Sequence, residues 1–103
     1  MSGYKVHFHK DTTADYDEAY AWYEDQQTHL GDKFQTAVRA TITEIIQFPE
    51  AFGQKHKHGY REATVDGFPF SIVYQLFKRT KIIFITSIHH HKKHPRKKYR
   101  DRI

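Results

Sequence analysis

The sequence has no cysteine and no long hydrophobic run, and both absences narrow the class of protein. Without cysteine the chain forms neither a disulfide framework nor a thiolate metal site, which fits a reducing compartment. No apolar stretch approaches the ~20 residues that a membrane span needs, and the N-terminus shows no apolar signal-peptide core. We therefore expect a soluble, cytoplasmic protein that has no membrane partner.

The length and composition indicate one globular domain. At 103 residues the chain is long enough for a single hydrophobic core, and it shows no internal repeat or linker that would divide it. Aromatic residues make up 16% of the sequence, whereas disordered chains are poor in them. We expect a single domain over residues 1–103, in which residues 89–103 form a basic C-terminal tail.

Charge is divided unevenly along the chain. Residues 1–54 carry four basic and nine acidic side chains, a net −5, and residues 55–103 carry thirteen basic and three acidic ones, a net +10. This asymmetry favours an acidic solvated face and a basic working face that suits a polyanion or an acidic protein. A basic surface that only keeps the protein soluble is the alternative explanation.

Hydrophobic periodicity predicts the element order β-α-α-β-β-β. Apolar residues at spacings of three and four predict helices over residues 13–29 and 33–48. Alternation with a period of two predicts four strands, at residues 4–9, 60–65, 69–77 and 81–88. Two amphipathic helices joined by a short turn make an antiparallel hairpin. We therefore expect an α+β fold, in which an antiparallel helical hairpin packs on a small antiparallel sheet.

Local signals place the ends of the helices. Thr12 or Thr13 is the expected N-cap of the first helix, because its hydroxyl accepts from a free N–H group of the first turn. Gly31 is expected just beyond the end of that helix, in the left-handed conformation that glycine adopts at little cost. Asp32 is the expected cap of the second helix, and Pro49 ends it.

The same periodicity predicts which side chains are buried. Ile45 of the second helix and Ile72 of a hairpin strand are expected in the core. The aromatic residues of the first helix are expected to pack against the sheet, with Trp22 or Tyr23 nearer the rim. These positions make the packing scheme testable.

Histidines are concentrated near the C-terminus. The cluster comprises His89, His90, His91 and His94, with His56 and His58 as further candidates. Neighbouring positions of an extended segment point to opposite sides, nearby lysines repel a cation, and structural zinc sites usually include cysteine. We therefore predict no metal site and no cofactor, and a cluster that does not stabilise the fold. His7 and His9, on one face of the first strand, are expected to face solvent.

The C-terminal tail has the composition of a phosphate-binding segment. It holds seven Lys or Arg and four His against one acidic residue, and Tyr99 is available to stack on a base. The sequence shows no recognition helix of a helix-turn-helix and no ribonucleoprotein motif. The candidate target-binding or nucleic-acid-binding residues are Arg61, His90, His91, Lys92, Lys93, Arg96 and Tyr99.

Four segments together carry a resemblance to a known family. They are the helical stretch DEAYAWYEDQQTHLGDKF, the FPEAF that follows the second helix, the strand pair YREATVDGFPFSIVYQL, and IIFITSIHHHKKHP near the C-terminus. In this order and spacing, over about residues 4–99, the sequence resembles the RelE/ParE toxins of type II toxin–antitoxin systems, and among them the plasmid stabilisation proteins. The predicted element order agrees with the fold of that family.

This resemblance implies a partner and one of two targets. Members are held inactive by a cognate antitoxin, whose C-terminal segment wraps the toxin and adds to its sheet or grooves. RelE-like members enter the ribosomal A site and cleave mRNA, whereas ParE-like members poison DNA gyrase and are not known as nucleases. We expect a cognate acidic antitoxin as partner, and the sequence leaves open a homodimer or a toxin–antitoxin hetero-oligomer.

The resemblance also allows the nuclease positions to be compared one by one. RNA cleavage needs a base for the 2′-OH, an acid for the leaving 5′-oxygen, and cations that stabilise the phosphorane. A basic residue early in the first hairpin strand matches Arg61, but the next lysine falls on Ala63 and an arginine falls on Ser71. An arginine beyond the last strand falls on His91, or on Lys92 by a small slip.

Three functions follow from this comparison. The charges lost at Ala63 and Ser71 favour a toxin that inhibits growth by poisoning a protein target such as DNA gyrase. The first alternative is a ribosome-dependent mRNA endonuclease, whose candidate catalysts are Arg61, His91 and the tail tyrosine Tyr99. The second is an inactive member that only binds its antitoxin or nucleic acid. Whether the chain is an enzyme stays open at this point.

Overall fold

The computed structural model describes residues 3–54, 59–93 and 99–100. Its elements follow the predicted order, and the α+β fold class is confirmed. They are β1 (Lys5–Phe8), α1 (Thr12–Gln26), α2 (Leu30–Gln47), β2 (Tyr60–Thr64), β3 (Phe70–Phe77) and β4 (Ile82–His90). Neither helix within these ranges combines the length and the hydrophobicity that a membrane-spanning segment requires.

The four strands form one sheet in the order β1-β4-β3-β2. β2, β3 and β4 pair antiparallel, as expected for consecutive strands joined by short turns. β1 instead pairs parallel with β4, with Lys5 opposite Ile82 and Phe8 opposite Ile85. The sheet is therefore mixed, and the expectation of a wholly antiparallel sheet needs correction at this strand. Periodicity locates a strand but carries no information on its direction.

Both helices pack on one side of the sheet, which we call the helix face. The core includes Phe34 and Ile45 of α2 together with Ala63, Ile72 and Ile88 of the sheet. Ile45 and Ile72 are fully buried, which confirms both core predictions. On α1 the aromatic residues divide between the core and its rim, because one helix presents neighbouring residues to different sides.

Trp22 and Tyr23 show this division. Tyr23 is buried, and its ring packs against the rings of Phe34 at 5.2 Å and Phe68 at 5.0 Å. Trp22 is exposed and meets Tyr23 edge-on at 5.2 Å. The prediction that one of the two lies at the rim is confirmed for Trp22.

The turn between the helices differs from the prediction. α1 ends at Gln26 and α2 begins at Leu30, so Gly31 lies in the first turn of α2 and not beyond the end of α1. The left-handed residue is His29, with φ of 70°. Gly31 has a different role, because a Cβ built there would lie 2.6 Å from Cγ of Glu24. This glycine allows the two helices to approach closely.

The cap of α2 comes from α1. The Glu24 carboxylate accepts the N–H groups of Gly31 at 2.8 Å and His29 at 3.3 Å. Asp32, which we expected to cap the helix, lies within its first turn and accepts the Tyr20 hydroxyl at 2.6 Å. A carboxylate from the preceding helix thus satisfies donors that sequence reasoning assigns to a local cap.

The start of α1 also needs correction. Asp11 precedes the helix without a side-chain cap, and Thr12 is already helical, so neither predicted threonine is the N-cap. The Thr12 hydroxyl instead donates to the carbonyl of Ile85 at 3.4 Å. His9 is buried, whereas the sequence predicts that it faces solvent. Its Nδ1 accepts the Asp11 N–H at 3.0 Å, and its ring meets the Phe84 ring edge-on at 6.2 Å.

A β-bulge in β4 decides which way its last residues face. Tyr74 pairs with Ile85, while the preceding Val73 pairs with Ser87, so Thr86 is an extra residue on β4. One extra residue reverses the alternation of side chains beyond it. Each side chain of β4 after the bulge therefore lies on the face opposite to the one it would occupy in a strand without a bulge.

The other face of the sheet is directed away from the helices. Near the end of β4 this face carries Glu62, Ser71 and His89, and Tyr99 lies against it. We call this region the tail face. β4 continues through His90, so the first two residues of the predicted tail, His89 and His90, belong to the sheet.

Candidate functional site

The tail face brings one serine and two histidines together. Ser71 Oγ and His91 Nε2 are 2.9 Å apart, and Ser71 itself is buried. His89 pairs with Ser71 across the strands, and its Nε2 lies 3.2 Å from the carbonyl oxygen of Lys93. A hydroxyl and two imidazoles offer hydrogen bonding and proton transfer, but no permanent positive charge.

Tyr99 lies on the same face, beside β2. Its hydroxyl donates to Glu62 Oε2 at 2.7 Å, and its ring is 4.9 Å from the ring of Tyr60. Burial, followed by the hydrogen bond to Glu62, raises the pKa of Tyr99 to about 12. The phenol therefore keeps its proton at neutral pH, where it acts as a hydrogen-bond donor and not as a base.

Arg61 lies on the helix face, away from His91 and Tyr99. Its guanidinium donates to the carbonyl oxygens of Phe52 at 2.7 Å and Glu50 at 3.4 Å. The guanidinium of Arg61 thus binds the loop that follows α2. The structure brings two of the three candidate catalysts to one face and separates the third by the thickness of the sheet.

A bidentate ion pair joins the end of the chain to α1. Arg100 donates to the two carboxylate oxygens of Asp15 at 2.7 and 3.0 Å, and each side chain is 19% exposed. Arg100 also donates to the carbonyl of Thr86 at 3.2 Å, and Asp15 accepts the N–H of Ile88 at 3.1 Å. The charge of Arg100 is therefore balanced, and the pair holds Arg100 against the outer edge of β4.

The remaining candidates lie at the end of β4, beside α1. Lys93 Nζ is 3.2 Å from Oε1 of Glu18. Burial, followed by the nearby imidazole and ammonium groups, lowers the pKa of His90, so this side chain is neutral at physiological pH. Lys92 is exposed. Arg96 lies outside the described residues.

The histidine cluster divides between surfaces. His89 and His91 belong to the tail face, whereas the ring of His90 meets Phe70 edge-on at 4.9 Å on the helix side. Within the described ranges no three His, Asp or Glu side chains are arranged to hold a metal ion. The other cluster members, His56, His58 and His94, lie outside those ranges.

Burial of His89 corrects the expectation that the cluster contributes nothing to the fold. His89→Ala is expected to lower the free energy of unfolding by about 1–3 kcal/mol, because it leaves buried polar groups unsatisfied. His91→Ala, at an exposed position, should cost no more than about 1 kcal/mol. Urea denaturation followed by circular dichroism measures both. Equal effects of the two substitutions would contradict the different burial of these histidines.

Sequence reasoning did not find three of the residues that shape this region. Glu62 stands next to Arg61, and strand alternation alone places its side chain on the opposite face. Asp15 reads as an acidic residue of a first helical turn, and Arg100 as one basic residue of the tail. No sequence signal links Asp15 to Arg100, because their contact depends on tertiary structure.

Comparison with known protein families identifies the family of this chain. The sequence matches, over residues 6–95, a family model described as the ParE toxin of the type II toxin–antitoxin system parDE. The chain belongs to the ParE toxin family. This match confirms the predicted RelE/ParE superfamily and makes the chain a type II toxin by family. No curated protein matches the sequence.

Solved toxin structures share the fold of this ParE-family chain. A chain of the chromosomal ParDE system from P. aeruginosa aligns with a TM-score of 0.64 and 20% identity, over 87% of this chain and 98% of that one. The isolated E. coli RelE toxin aligns with a TM-score of 0.65 and 14% identity, over 89% of this chain and 88% of that one. A chain of the intact E. coli RelBE toxin–antitoxin complex aligns with a TM-score of 0.66 and 14% identity, over 87% of this chain and 99% of that one. At these identities the likeness establishes the fold alone.

Proposed function

We propose that this ParE-family toxin inhibits growth by binding a protein target such as DNA gyrase, without cleaving RNA. The observation that carries the proposal is the position of Arg61. Its guanidinium is bound to the carbonyls of Phe52 and Glu50, on the face opposite His91 and Tyr99. The remaining nuclease positions in the sheet, Ala63 and Ser71, carry no charge.

The electrostatics of the tail face support the same function. Stabilising a phosphorane requires preorganised positive charge near the reacting phosphate. Glu62 places a carboxylate beside Tyr99 instead, and Arg100 is neutralised by Asp15. Loss of one preorganised donor commonly costs ~10²–10³ in rate, so loss of several leaves little cleavage.

We also infer a cognate acidic antitoxin as partner. The support is the net +10 of residues 55–103, which suits an acidic protein segment. The similar solved structures include an intact RelBE toxin–antitoxin complex and a RelE variant bound to an antitoxin peptide. Such a partner would dock by strand addition or by a helix in a groove.

An mRNA endonuclease is the second candidate, and one specific observation favours it. His91 and Glu62 lie on one face with Tyr99, and an imidazole and a carboxylate are common general acid and base groups. In this alternative, Tyr99 orients Glu62 and the serine hydroxyl orients the imidazole. The tail would then have to supply the cations that the sheet lacks.

Brief induction in bacteria tests the proposed target. We expect DNA damage and filamentation while protein synthesis continues at first, and inhibition of supercoiling when purified toxin is added to DNA gyrase. Pulse labelling, a DNA-damage reporter and a supercoiling gel measure these outcomes. Immediate arrest of translation, with transcripts cut at ribosome-bound codons, would establish the nuclease instead.

A double variant separates the two mechanisms within one assay. Glu62→Gln combined with His91→Asn removes both candidate proton-transfer groups, while the amide oxygen at position 62 can still accept the Tyr99 hydroxyl. Growth inhibition by this variant should equal that of the original chain if the target is a protein, and should vanish if cleavage is the activity. A folded, full-length chain that is harmless when expressed alone would favour a member that only binds antitoxin or nucleic acid.

A further inference from the structure

A basic pocket lies at the end of the sheet where β3 turns into β4. The strand register places the end of β3 and the starts of β2 and β4 at this end, whereas β4 finishes at the opposite end, at His90. The volume of the pocket is about 650 Å³, within the ~300–1,000 Å³ range of ligand pockets. Its lining includes Arg61 of β2, Phe77 of β3, and Lys78, Arg79 and Thr80 of the turn. We call it the turn pocket.

Arg61 brings a fixed positive charge to the turn pocket. Its Nη1 donates to the carbonyl oxygens of Phe52 and Glu50, and these bonds hold the guanidinium in place. A carbonyl oxygen carries no formal charge, and Arg61 forms no ion pair with a carboxylate of the described residues. Both bonds use one nitrogen of a group that has five N–H donors. The guanidinium is therefore held in position, keeps its charge, and has further donors for an anion.

The turn between β3 and β4 adds two cations. Lys81 closes the turn in the left-handed conformation, with φ of 60°, and the three residues before it are exposed. The Lys78 ammonium lies 3.3 Å from the carboxylate of Glu50, and both side chains are exposed. Arg79 forms no ion pair with any described residue. Two guanidiniums, those of Arg61 and Arg79, thus line the pocket without a carboxylate beside them.

The polar side chains of the lining all carry hydrogen-bond donors. They are the two guanidiniums, the Lys78 ammonium, the Thr80 hydroxyl and the Gln54 amide. Among the described lining residues none is an aspartate or a glutamate. Guanidinium forks match the oxygens of phosphate and carboxylate groups, and a phosphate monoester offers three strong acceptor oxygens to donors from several directions. An anion with many acceptors, such as phosphate, suits this lining.

The apolar part of the lining distinguishes a nucleotide from other anions. Leu76 and Phe77 line the pocket and are only partly buried. Proteins that bind single strands combine cations for the backbone with aromatic side chains on which bases stack. A duplex keeps its bases stacked on one another and would offer only phosphates to this pocket. An acidic peptide would satisfy the cations and leave the aromatic group uncovered.

We propose that the turn pocket binds a nucleotide unit, with its phosphate on Arg61 and Arg79 and its base against Phe77. The unit belongs either to a single-stranded nucleic acid or to a free nucleotide, because both present this chemistry. The site binds without cleaving, since its described lining contains no imidazole or carboxylate that would transfer a proton. It adds a ligand to the proposed function and does not depend on which protein the toxin inhibits.

NMR spectroscopy of the full chain labelled with ¹⁵N locates the binding. The probes are thymidine monophosphate and single-stranded hexathymidylate, at low ionic strength, where phosphate contacts are least screened. We expect saturable shifts of the amide signals of residues 59–61 and 76–80 with both probes. A lower Kd for the hexamer identifies a single strand as the source of the nucleotide, and equal Kd values identify a free nucleotide. Absence of shifts in these two ranges would overturn the proposal.

Arg79→Ala and Arg39→Ala separate the pocket from the general attraction of a basic protein for polyanions. Each substitution removes one positive charge from an exposed position, but Arg39 lies on α2 and does not line the pocket. Arg79→Ala is expected to raise the Kd for hexathymidylate about tenfold. It should also reduce the slope of log Kd against log salt concentration by about 0.7, the value for one phosphate contact on a single strand. Arg39→Ala should leave the Kd within about twofold. Fluorescence anisotropy of the labelled hexamer measures both quantities.

A hexamer of abasic deoxyribose phosphates tests the contact with Phe77. It carries the same charges as hexathymidylate, and it should bind at least about fivefold more weakly, because base stacking on an aromatic residue is lost. Equal Kd values for Arg79→Ala and Arg39→Ala would overturn the turn pocket as the binding site. Equal binding of the abasic hexamer, or equal displacement of the labelled hexamer by polyglutamate, would overturn the nucleotide as its ligand. The supercoiling assay tests the protein target separately from all of these outcomes.

Discussion

Ile72→Ala is expected to lower the free energy of unfolding by about 2–5 kcal/mol, because it removes buried methylenes and leaves a cavity. Ile72 is fully buried in β3, and its cross-strand partners are Ala63 on β2 and Ile88 on β4. Ala63 is too small to fill the space, so the cavity cannot close without movement of the strands. Urea denaturation followed by circular dichroism measures the loss. For a domain of this size each kcal/mol lowers the Tm by about 4–8 °C.

Phe48→Ala provides the comparison for this prediction. It deletes a larger apolar side chain than isoleucine, but from a position that is mostly exposed. Its effect on unfolding should stay within about 0.5 kcal/mol. A cost for Ile72→Ala as small as that of Phe48→Ala would contradict the placement of Ile72 at the centre of the core.

The core and the order of elements could be predicted from the sequence because both depend on local patterns. Ile45 belongs to an apolar stripe with helical spacing, and Ile72 to an apolar run between turn signals. A stripe or run of this kind has one favourable outcome, which is burial against the other elements. The pattern therefore identifies the helix face without knowledge of the topology.

The tail face could not be predicted, because it depends on register and not on composition. The bulge at Thr86 places His89 and His91 on the face opposite His90, and no residue in that stretch marks a bulge. Without this register the histidines read as one polar segment. The resemblance to the nuclease branch predicts Arg61 in the same site as His91, whereas strand alternation places Arg61 on the other face.

The end of the chain was also beyond sequence reasoning, because its contacts are distant in sequence. Asp15 and Arg100 are separated by 85 positions. Several charged residues lie near each of them in the sequence, so the sequence does not favour the pair Asp15–Arg100 over other pairs. The open edge of β4 selects this pair. It presents a carbonyl at Thr86 and an N–H at Ile88, and a guanidinium and a carboxylate satisfy both groups.

Breaking this ion pair is expected to be costly. Asp15→Ala and Arg100→Ala should each lower the free energy of unfolding by about 2–4 kcal/mol, near the ~3–5 kcal/mol for a fully buried pair that loses one partner. Asp15→Ala leaves the guanidinium without its counter-charge and removes the acceptor of the Ile88 N–H. Arg100→Ala leaves the carboxylate unmatched and removes the donor to the Thr86 carbonyl. Chemical denaturation of both variants and of the double variant measures these costs.

The double variant shows how much of each cost belongs to the pair itself. Each single substitution removes the same ion pair, so the two losses should not add. The coupling energy between Asp15 and Arg100 should be about 1–3 kcal/mol. Glu18→Ala, one turn further along α1, is the control: it breaks the ion pair with Lys93, whose side chains are 73% and 53% exposed. Exposed pairs contribute about 0–1 kcal/mol, so this variant should be close to the original in stability. Additive losses for Asp15 and Arg100, or losses no larger than that of Glu18→Ala, would mean that this ion pair does not hold Arg100 against β4.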